Sequence, residues 1–314
     1  MIQNVDHVEN CGNFSSDIIL LIQTTVYTPV FFTGLILNVL ALRVFCCKLS
    51  KWTETRVYMT NLAIADCLFI FTLPFTLFYT TKTVDTPCLV LESAYFINRY
   101  MSIFLITITS IDRYIAIQYP LKSKSVRSPL KSAVVCGLLW ALIISILYVT
   151  KKLEQRGRKE VCFRKNSRAP SVHLFASVIW GFLIPLTILS FCSIRIVKKL
   201  MRKKSTNPHE EKLIQKAINI ILANMIVFIM CFLPLHVAHL IRFIADASEV
   251  SCAEMEKIDI FVNVAGILAN MNCCLDAICY YFVNQEFQEA SMQLTAKYLT
   301  PQTQGSENQD SEII

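Results

Sequence analysis

Charge is scarce in this 314-residue sequence: only 17% of its residues are Asp, Glu, Lys or Arg, against about 25% in an ordinary soluble protein. A water-exposed globule of this length needs more charged surface, so the composition points to lipid as the solvent. Glycine is rarer still, at 7 residues, which excludes a collagen repeat. No repeat of fixed period, heptad run or low-complexity tract is present. The sequence holds no Gly-rich phosphate loop, no His-Glu-x-x-His and no Gly-x-Ser-x-Gly, so it carries no enzyme signature. No secretory signal is visible either. The first stretch is polar and acidic, the apolar run starts only near Ile18, and the first span is expected to act as an uncleaved signal anchor.

Apolar length is what the chain has in abundance. Hydrophobic residues make up 54% of it, and the mean hydropathy is +0.49. They come in long unbroken runs, which excludes disorder and argues against the strict alternation of a transmembrane β-barrel. A spanning helix needs roughly 20 to 25 residues. Stretches near 18–47, 55–79, 87–117, 128–149, 172–199, 212–243 and 257–283 can each hold one. The fold class expected is an all-α membrane protein, a seven-transmembrane helix bundle over 18–283. It follows an extracellular N-terminus, 1–17, and precedes a short amphipathic cytoplasmic helix and disordered tail in 284–314.

Orientation follows from the basic residues. Lys48, Lys51 and Arg56 follow the first span, Lys122, Lys124 and Arg127 the third, and Lys198, Lys199, Arg202, Lys203, Lys204 and Lys212 the fifth. Positive loops stay in the cytoplasm, which places the N-terminus outside and the C-terminus inside. Asn13-Phe14-Ser15 is a glycosylation acceptor that suits an outer N-terminus. The 150–171 connection departs from the bias, with eight cations against Glu154 and Glu160, a net charge of +6. By itself it reads more simply as a solvated loop than as an electrostatic funnel for an anion. Because the basic runs sit at membrane edges, the +7 net charge does not indicate nucleic-acid binding.

Charges inside a membrane are costly, and each is a functional candidate. Asp66 lies in the second span, Arg99 and Asp112-Arg113-Tyr114 in the third, and Asp276 in the seventh. Cys88, Arg99 and Arg113 fall close to one helix face, with steps of about 16 Å and about 21 Å along the axis. Tyr95, Arg99 and Ser102 share a stripe. Arg99 is too deep to reach the interface easily. It needs an acid, carbonyls, water or a ligand anion, and the basic loop above it favours the ligand over a structural role. His236, His239 and Arg242 climb the sixth span at steps of three, as readily packed core as pocket lining. They offer no metal set, and no lysine sits mid-way along the seventh span to hold a retinal. Four of the 13 cysteines, Cys11, Cys88, Cys162 and Cys252, lie outside. An oxidising compartment should pair them, and three pairings are open.

Taken in order, these residues resemble the rhodopsin-like (class A) G-protein-coupled receptors across nearly the whole chain. The motifs are Asn38 after Gly34-Leu35-Ile36-Leu37, Asp66 closing Asn61-Leu62-Ala63-Ile64-Ala65, Cys88, Asp112-Arg113-Tyr114, Trp140, Cys162, Pro185, Cys231-Phe232-Leu233-Pro234, and Asp276 through Tyr280. Two segments, Trp52 to Asn61 and Asn272 to Tyr281, look like the branch that responds to kynurenic acid and, more distantly, to lysophosphatidylinositol and other lipid mediators. The resemblance implies bridges Cys88–Cys162 and Cys11–Cys252, and an allosteric sodium site at Asp66, Ser102, Asn272 and Asp276 with no other cofactor. It implies a packing switch of Ile103, Pro185 and Phe228, near Phe232 and Pro234, with Tyr280 below. Arg113 would leave Asp112 on activation and help receive a G protein beside Tyr114. Arg99, Tyr95, Arg164, His236, His239 and Arg242 would line the pocket for a small anionic ligand or lysophospholipid. Partners implied are the bilayer, a heterotrimeric G protein, and arrestin at the Ser/Thr-containing tail; the place is the plasma membrane.

Departures from the family pattern are also visible. Ala277 stands where the seventh span usually has Pro, Phe232 where the sixth usually has Trp, and Ser193 where the fifth usually has Tyr. Ile214 stands where some members carry an acid that locks Arg113, and no Cys follows Cys279 to anchor the tail. The competing readings are a peptide or chemokine receptor and an anion transporter. The short N-terminus and basic outer surface disfavour the former. The latter lacks its paired repeats and broken helices.

Overall fold

Proline and a capping serine decide where four of the helices begin. The computed structural model describes residues 13–49, 51–79, 86–154, 162–163, 172–203, 208–248 and 250–283. Pro120, Pro129 and Pro208 each open a helix, where a missing N–H costs nothing. These are α4 (Pro120–Val126), α5 (Pro129–Glu154) and α8 (Pro208–Ala247). Ser251 caps α9 (Cys252–Asn270): it accepts the Glu254 N–H, while the Glu254 carboxylate accepts the Ser251 N–H at 3.1 Å. The remaining helices are α1 (Asn13–Arg43), α2 (Glu54–Tyr79), α3 (Thr86–Gln118), α6 (Val172–Val178), α7 (Ile184–Arg202) and α10 (Asn272–Val283).

Two wider turns join or extend these helices. A single π-turn, Val44–Lys48, prolongs α1. A second, Ile179–Leu183, links α6 to α7 just before Pro185. A proline ring clashes with the carbonyl four residues back, here that of Gly181, and the extra residue in the turn relieves the clash. Seven stretches are long and apolar enough to cross a bilayer: α1 with its π-turn, α2, α3, α5, α6 through α7, α8, and α9 through α10. No strand occurs among the described residues.

Packing is inside-out relative to a soluble protein. Large apolar side chains such as Phe71, Phe75, Leu138, Leu142, Trp180 and Met230 face outward, where lipid is as good a solvent as any core. Asn38, Asp66, Asn98, Arg99, Ser102, His236, Asn270, Asn272 and Asp276 are all buried. Three apolar clusters hold the bundle. One joins α1, α2, α3 and α5 around Phe45, Met101 and Leu105; a second joins α3, α7, α8 and α9 around Ile103, Phe228 and Phe232; a third joins α1, α2 and α9 around Phe69, Ile70 and Leu73.

Some boundaries differ from the sequence reading. The first helix begins at Asn13 rather than 18, and α5 runs to Glu154 rather than 149. The α8 helix has 40 residues, about 60 Å, which outruns a hydrocarbon core of about 30 Å. The seventh span starts at Cys252 and is interrupted at Met271 rather than continuous. Cys11, Arg164 and the expected tail helix and disorder in 284–314 lie outside the described residues. So do the side chains of Asn13 and Tyr280, whose backbones are helical.

Candidate functional site

Arg99 is the centre of the outer cluster. It is 4% exposed, donates to the Tyr95 hydroxyl, and its guanidinium carbon lies 4.2 Å from the Tyr95 ring centroid and 5.8 Å from that of Phe96. Among the described residues it has no carboxylate partner, and its Nε has no partner at all. Its charge acts on His236 and His239 from α8 and on Tyr27 from α1. Tyr27 accepts a bond from Asn270 at 2.7 Å, and the carbonyl oxygen of nearby buried Gln23 is unpartnered. Gly266 gives Tyr95 its space, because a Cβ there would stand 2.8 Å from the hydroxyl.

The two histidines are held rather than loose. His236 bonds the Phe232 carbonyl through Nδ1 at 2.7 Å and stacks on Phe182 with centroids 5.0 Å apart. Gly181 leaves room for it, since a Cβ would lie 3.1 Å from Nε2. His239 meets Ser177 at 3.1 Å.

Two buried or half-buried cations near this end, Arg242 and Lys151, do have acids. Arg242 bonds Asp246 at 3.0 Å and Asp259 across on α9, so its charge arrives already balanced. Glu92 does not hold Arg99. Its carboxylate takes Lys151 and the Phe163 N–H, the latter at 2.8 Å. Phe163 needs that support, because its φ of 61° is a left-handed conformation that costs a non-glycine residue about 1–3 kcal/mol. The Cys88–Cys162 disulfide fixes the preceding residue to α3. Phe163 in turn lies edge-on to Tyr95 at 6.2 Å. Cys252 stands at the start of α9, but its expected partner Cys11 is outside the described residues.

Midway down the bundle, Asp66 and Asp276 are both buried carboxylates. Asp66 accepts from Asn98 at 2.7 Å, and Asp276 accepts from Asn272 at 2.6 Å. Asp66 Oδ2, Ser102 Oγ and Asn272 Oδ1 are buried without partners. Ile103, Phe228 and Phe232 are fully buried in one apolar cluster, and Pro185 on α7 is buried as well. Phe228 stacks on Phe182 at 6.0 Å and meets Phe232 edge-on at 5.2 Å. Pro234 lies inside α8 just beyond.

At the inner end the structure corrects one expectation. Asp112 does not bond Arg113. Both of its oxygens accept from Arg127, each at 2.7 Å, and Arg127 also reaches Glu54 at 3.3 Å. The bidentate geometry explains the preference, because the Arg127 fork matches the carboxylate. Asp112 thereby holds the Arg127 guanidinium above its ordinary range. Arg113 instead lines a cavity of about 50 Å³ with Tyr58, Ile106, Ser193, Asn224 and Asp276, and its Nε has no partner. Tyr114 packs between Tyr119 and Phe191, at 6.1 Å and 5.6 Å.

Sequence reasoning missed Gln23, Tyr27, Asn98 and Asn270, neutral groups whose presence in apolar runs carries no charge signal. Arg127 was visible only as one more inner cation. The Arg242–Asp246 pair was open to detection from its i, i+4 spacing.

Comparison with known proteins is consistent with this architecture. The family model described as 7 transmembrane receptor (rhodopsin family) matches residues 37–280. The chain is 42% identical over 279 residues to G-protein coupled receptor 35 of Homo sapiens, covering 88% of this chain and 87% of that protein. It is 32% identical to G-protein coupled receptor 55 of Mus musculus over 97% of both chains. Lysophosphatidic acid receptor 4 of Homo sapiens is 33% identical, over 84% of this chain and 75% of that receptor.

Proposed function

The chain belongs to the rhodopsin family of seven-transmembrane receptors, and from that premise we propose that its outer cluster binds the acidic group of a small anionic metabolite or a lysophospholipid. It is a multi-pass plasma-membrane receptor that couples to heterotrimeric G proteins, and not an enzyme. The observation that carries the ligand reading is Arg99: a guanidinium 4% exposed, without a carboxylate partner among the described residues. Such a charge is stable in a bundle when an anion completes it. Tyr95, Phe163, His236 and His239 surround that position with aromatic surface and a few polar atoms, the usual make-up of a small-molecule site. That lysophosphatidic acid receptor 4 is a relative supports an anionic lipid as one form of the ligand.

In this reading the N-terminus is outside, with Asn13 as its glycan acceptor and Cys11 paired with Cys252. Asp66, Asp276, Ser102 and Asn272 offer oxygen atoms suited to a sodium ion, and three unpartnered oxygens among them fit that role. The ion would offset one of the two negative charges that Asp66 and Asp276 can carry. Agonist binding shifts a two-state equilibrium through Ile103, Pro185 and Phe228 to the cytoplasmic end, where Arg113 meets the G protein. Arrestin then binds the Ser/Thr-containing tail.

The test is GTP exchange on a reconstituted G protein, driven by acids and their neutral esters drawn from carboxylates, sulfates and lysophospholipids. Acids should activate and esters should be weaker. Equal potency of acid and ester, at receptors with Arg or Ala at position 99, would overturn the assignment.

A further inference from the structure

The π-turn that ends α1 sorts its residues sharply. Val44 and Phe45 are fully buried in the core, whereas Cys46 and Cys47 are exposed. Among the described cysteines these two alone are exposed. Core packing therefore does not explain them, although it explains buried Cys67, Cys136, Cys192, Cys231 and Cys273.

Their level in the membrane is marked on both sides. Arg43 lies one helical turn before Cys46 and Cys47, and Lys48 and Lys51 follow them. Trp52, 48% exposed, stands four residues beyond Lys48 with Arg56 over its ring at 4.1 Å. Basic and aromatic residues of this kind gather where a helix leaves the hydrocarbon. The two thiols thus sit at the edge of the bilayer, where an attached alkyl chain enters lipid without crossing a polar layer. Thiols beside a membrane span are the substrates of reversible S-acylation.

We infer that Cys46 and Cys47 form a cytoplasmic S-acylation site for long-chain fatty acyl groups; the inference rests on the proposed orientation with the N-terminus outside. The donor is a long-chain acyl-coenzyme A. The cysteine sulfur attacks the thioester carbonyl, an S–C bond forms, the bond to coenzyme A sulfur breaks, and the thiol proton ends on the released coenzyme A. No oxidant or reductant is needed. Arg56 ties this turn to the next helix through the Phe45 carbonyl and, at 2.7 Å, the Lys51 carbonyl. Glu54, two residues earlier on the same turn, holds Arg127. Acylation would therefore press against the bilayer the same loop that supports the Asp112 clamp.

The experiment uses the full-length receptor carrying an N-terminal epitope tag, expressed in cells. Free thiols are blocked, thioesters are cleaved with hydroxylamine, and the released thiols are given a mass tag. Wild type should show hydroxylamine-dependent tagging, C46S and C47S each at most one tag, and C46S/C47S none. No tagging in wild type, or tagging that persists in C46S/C47S, overturns the site. Antibody access to the N-terminal tag is scored in the same cells. Access only after permeabilisation would overturn the orientation and with it the inference, a result separable from absent acylation on correctly oriented protein.

Discussion

Arg99 and Arg242 lie near the same end of the bundle, yet their truncation should have opposite consequences. Arg242 is 6% exposed at its side chain and balances Asp246, which is fully buried, as well as Asp259. Arg242→Ala breaks a buried ion pair, a loss of about 3–5 kcal/mol. It should cut the amount of receptor reaching the surface. Arg99→Ala orphans no acid, because none pairs with Arg99 among the described residues. Its surface level should stay near wild type while the response collapses. Losing one side of a buried, hydrogen-bonded charge pair costs about 2–5 kcal/mol, or about 30- to 4,000-fold in potency. Arg99→Lys keeps the charge but cannot make a bidentate contact; one charge-assisted bond of about 1.5–3 kcal/mol corresponds to about 10- to 100-fold. Surface antibody binding and GTP exchange against an active acid, run on all three variants, give the comparison. If Arg99→Ala lowers surface level as much as Arg242→Ala does, Arg99 is structural and the reasoning fails.

Three further outcomes follow from the geometry. Gly266→Ala places a Cβ 2.8 Å from the Tyr95 hydroxyl, and overpacking costs about 1–3 kcal/mol. Potency should fall about five- to a hundredfold, and Gly266→Ala/Tyr95→Phe, which removes the clashing oxygen, should recover part of it; no recovery would refute the contact. Arg127→Ala frees both Asp112 oxygens to capture neighbouring Arg113, so GTP exchange should drop and Asp112→Asn in the same chain should restore it, whereas unchanged exchange would deny the clamp a role. Asp66→Asn removes the central carboxylate from the oxygen cluster and should abolish any difference in agonist affinity between sodium and choline buffers; an unchanged difference would place the ion elsewhere.

What could be read before folding was whatever charge or proline makes conspicuous in an apolar run. The seven spans, Arg99, Asp66 and Asp276 were visible because an ionised group inside a long hydrophobic stretch stands out. The Cys88–Cys162 bridge came from family resemblance, since four outer cysteines leave the pairing open. Partner choice was not legible. Glu92 lies on the same helix as Arg99, yet its carboxylate pairs with Lys151 from α5, which only the crossing of α3 with α5 decides. The exchange of Arg113 for Arg127 at Asp112 likewise depends on α4 returning the chain beneath α3. The interruption at Met271 carries no proline or glycine to announce it.

That interruption separates two asparagines that serve different halves of the molecule. Asn270 ends α9 and donates to Tyr27 in the outer cluster, while Asn272 begins α10 and donates to Asp276 in the lower one. A shift of the backbone at this single residue moves both donors at once. An ion held below and an acid held above would then be thermodynamically linked, and linkage is symmetric: whatever factor the ion imposes on the affinity of the acid, the acid imposes on the ion. Calorimetric titration in either order must close the same square, so the strength of the coupling can be measured from the side that is easier to saturate.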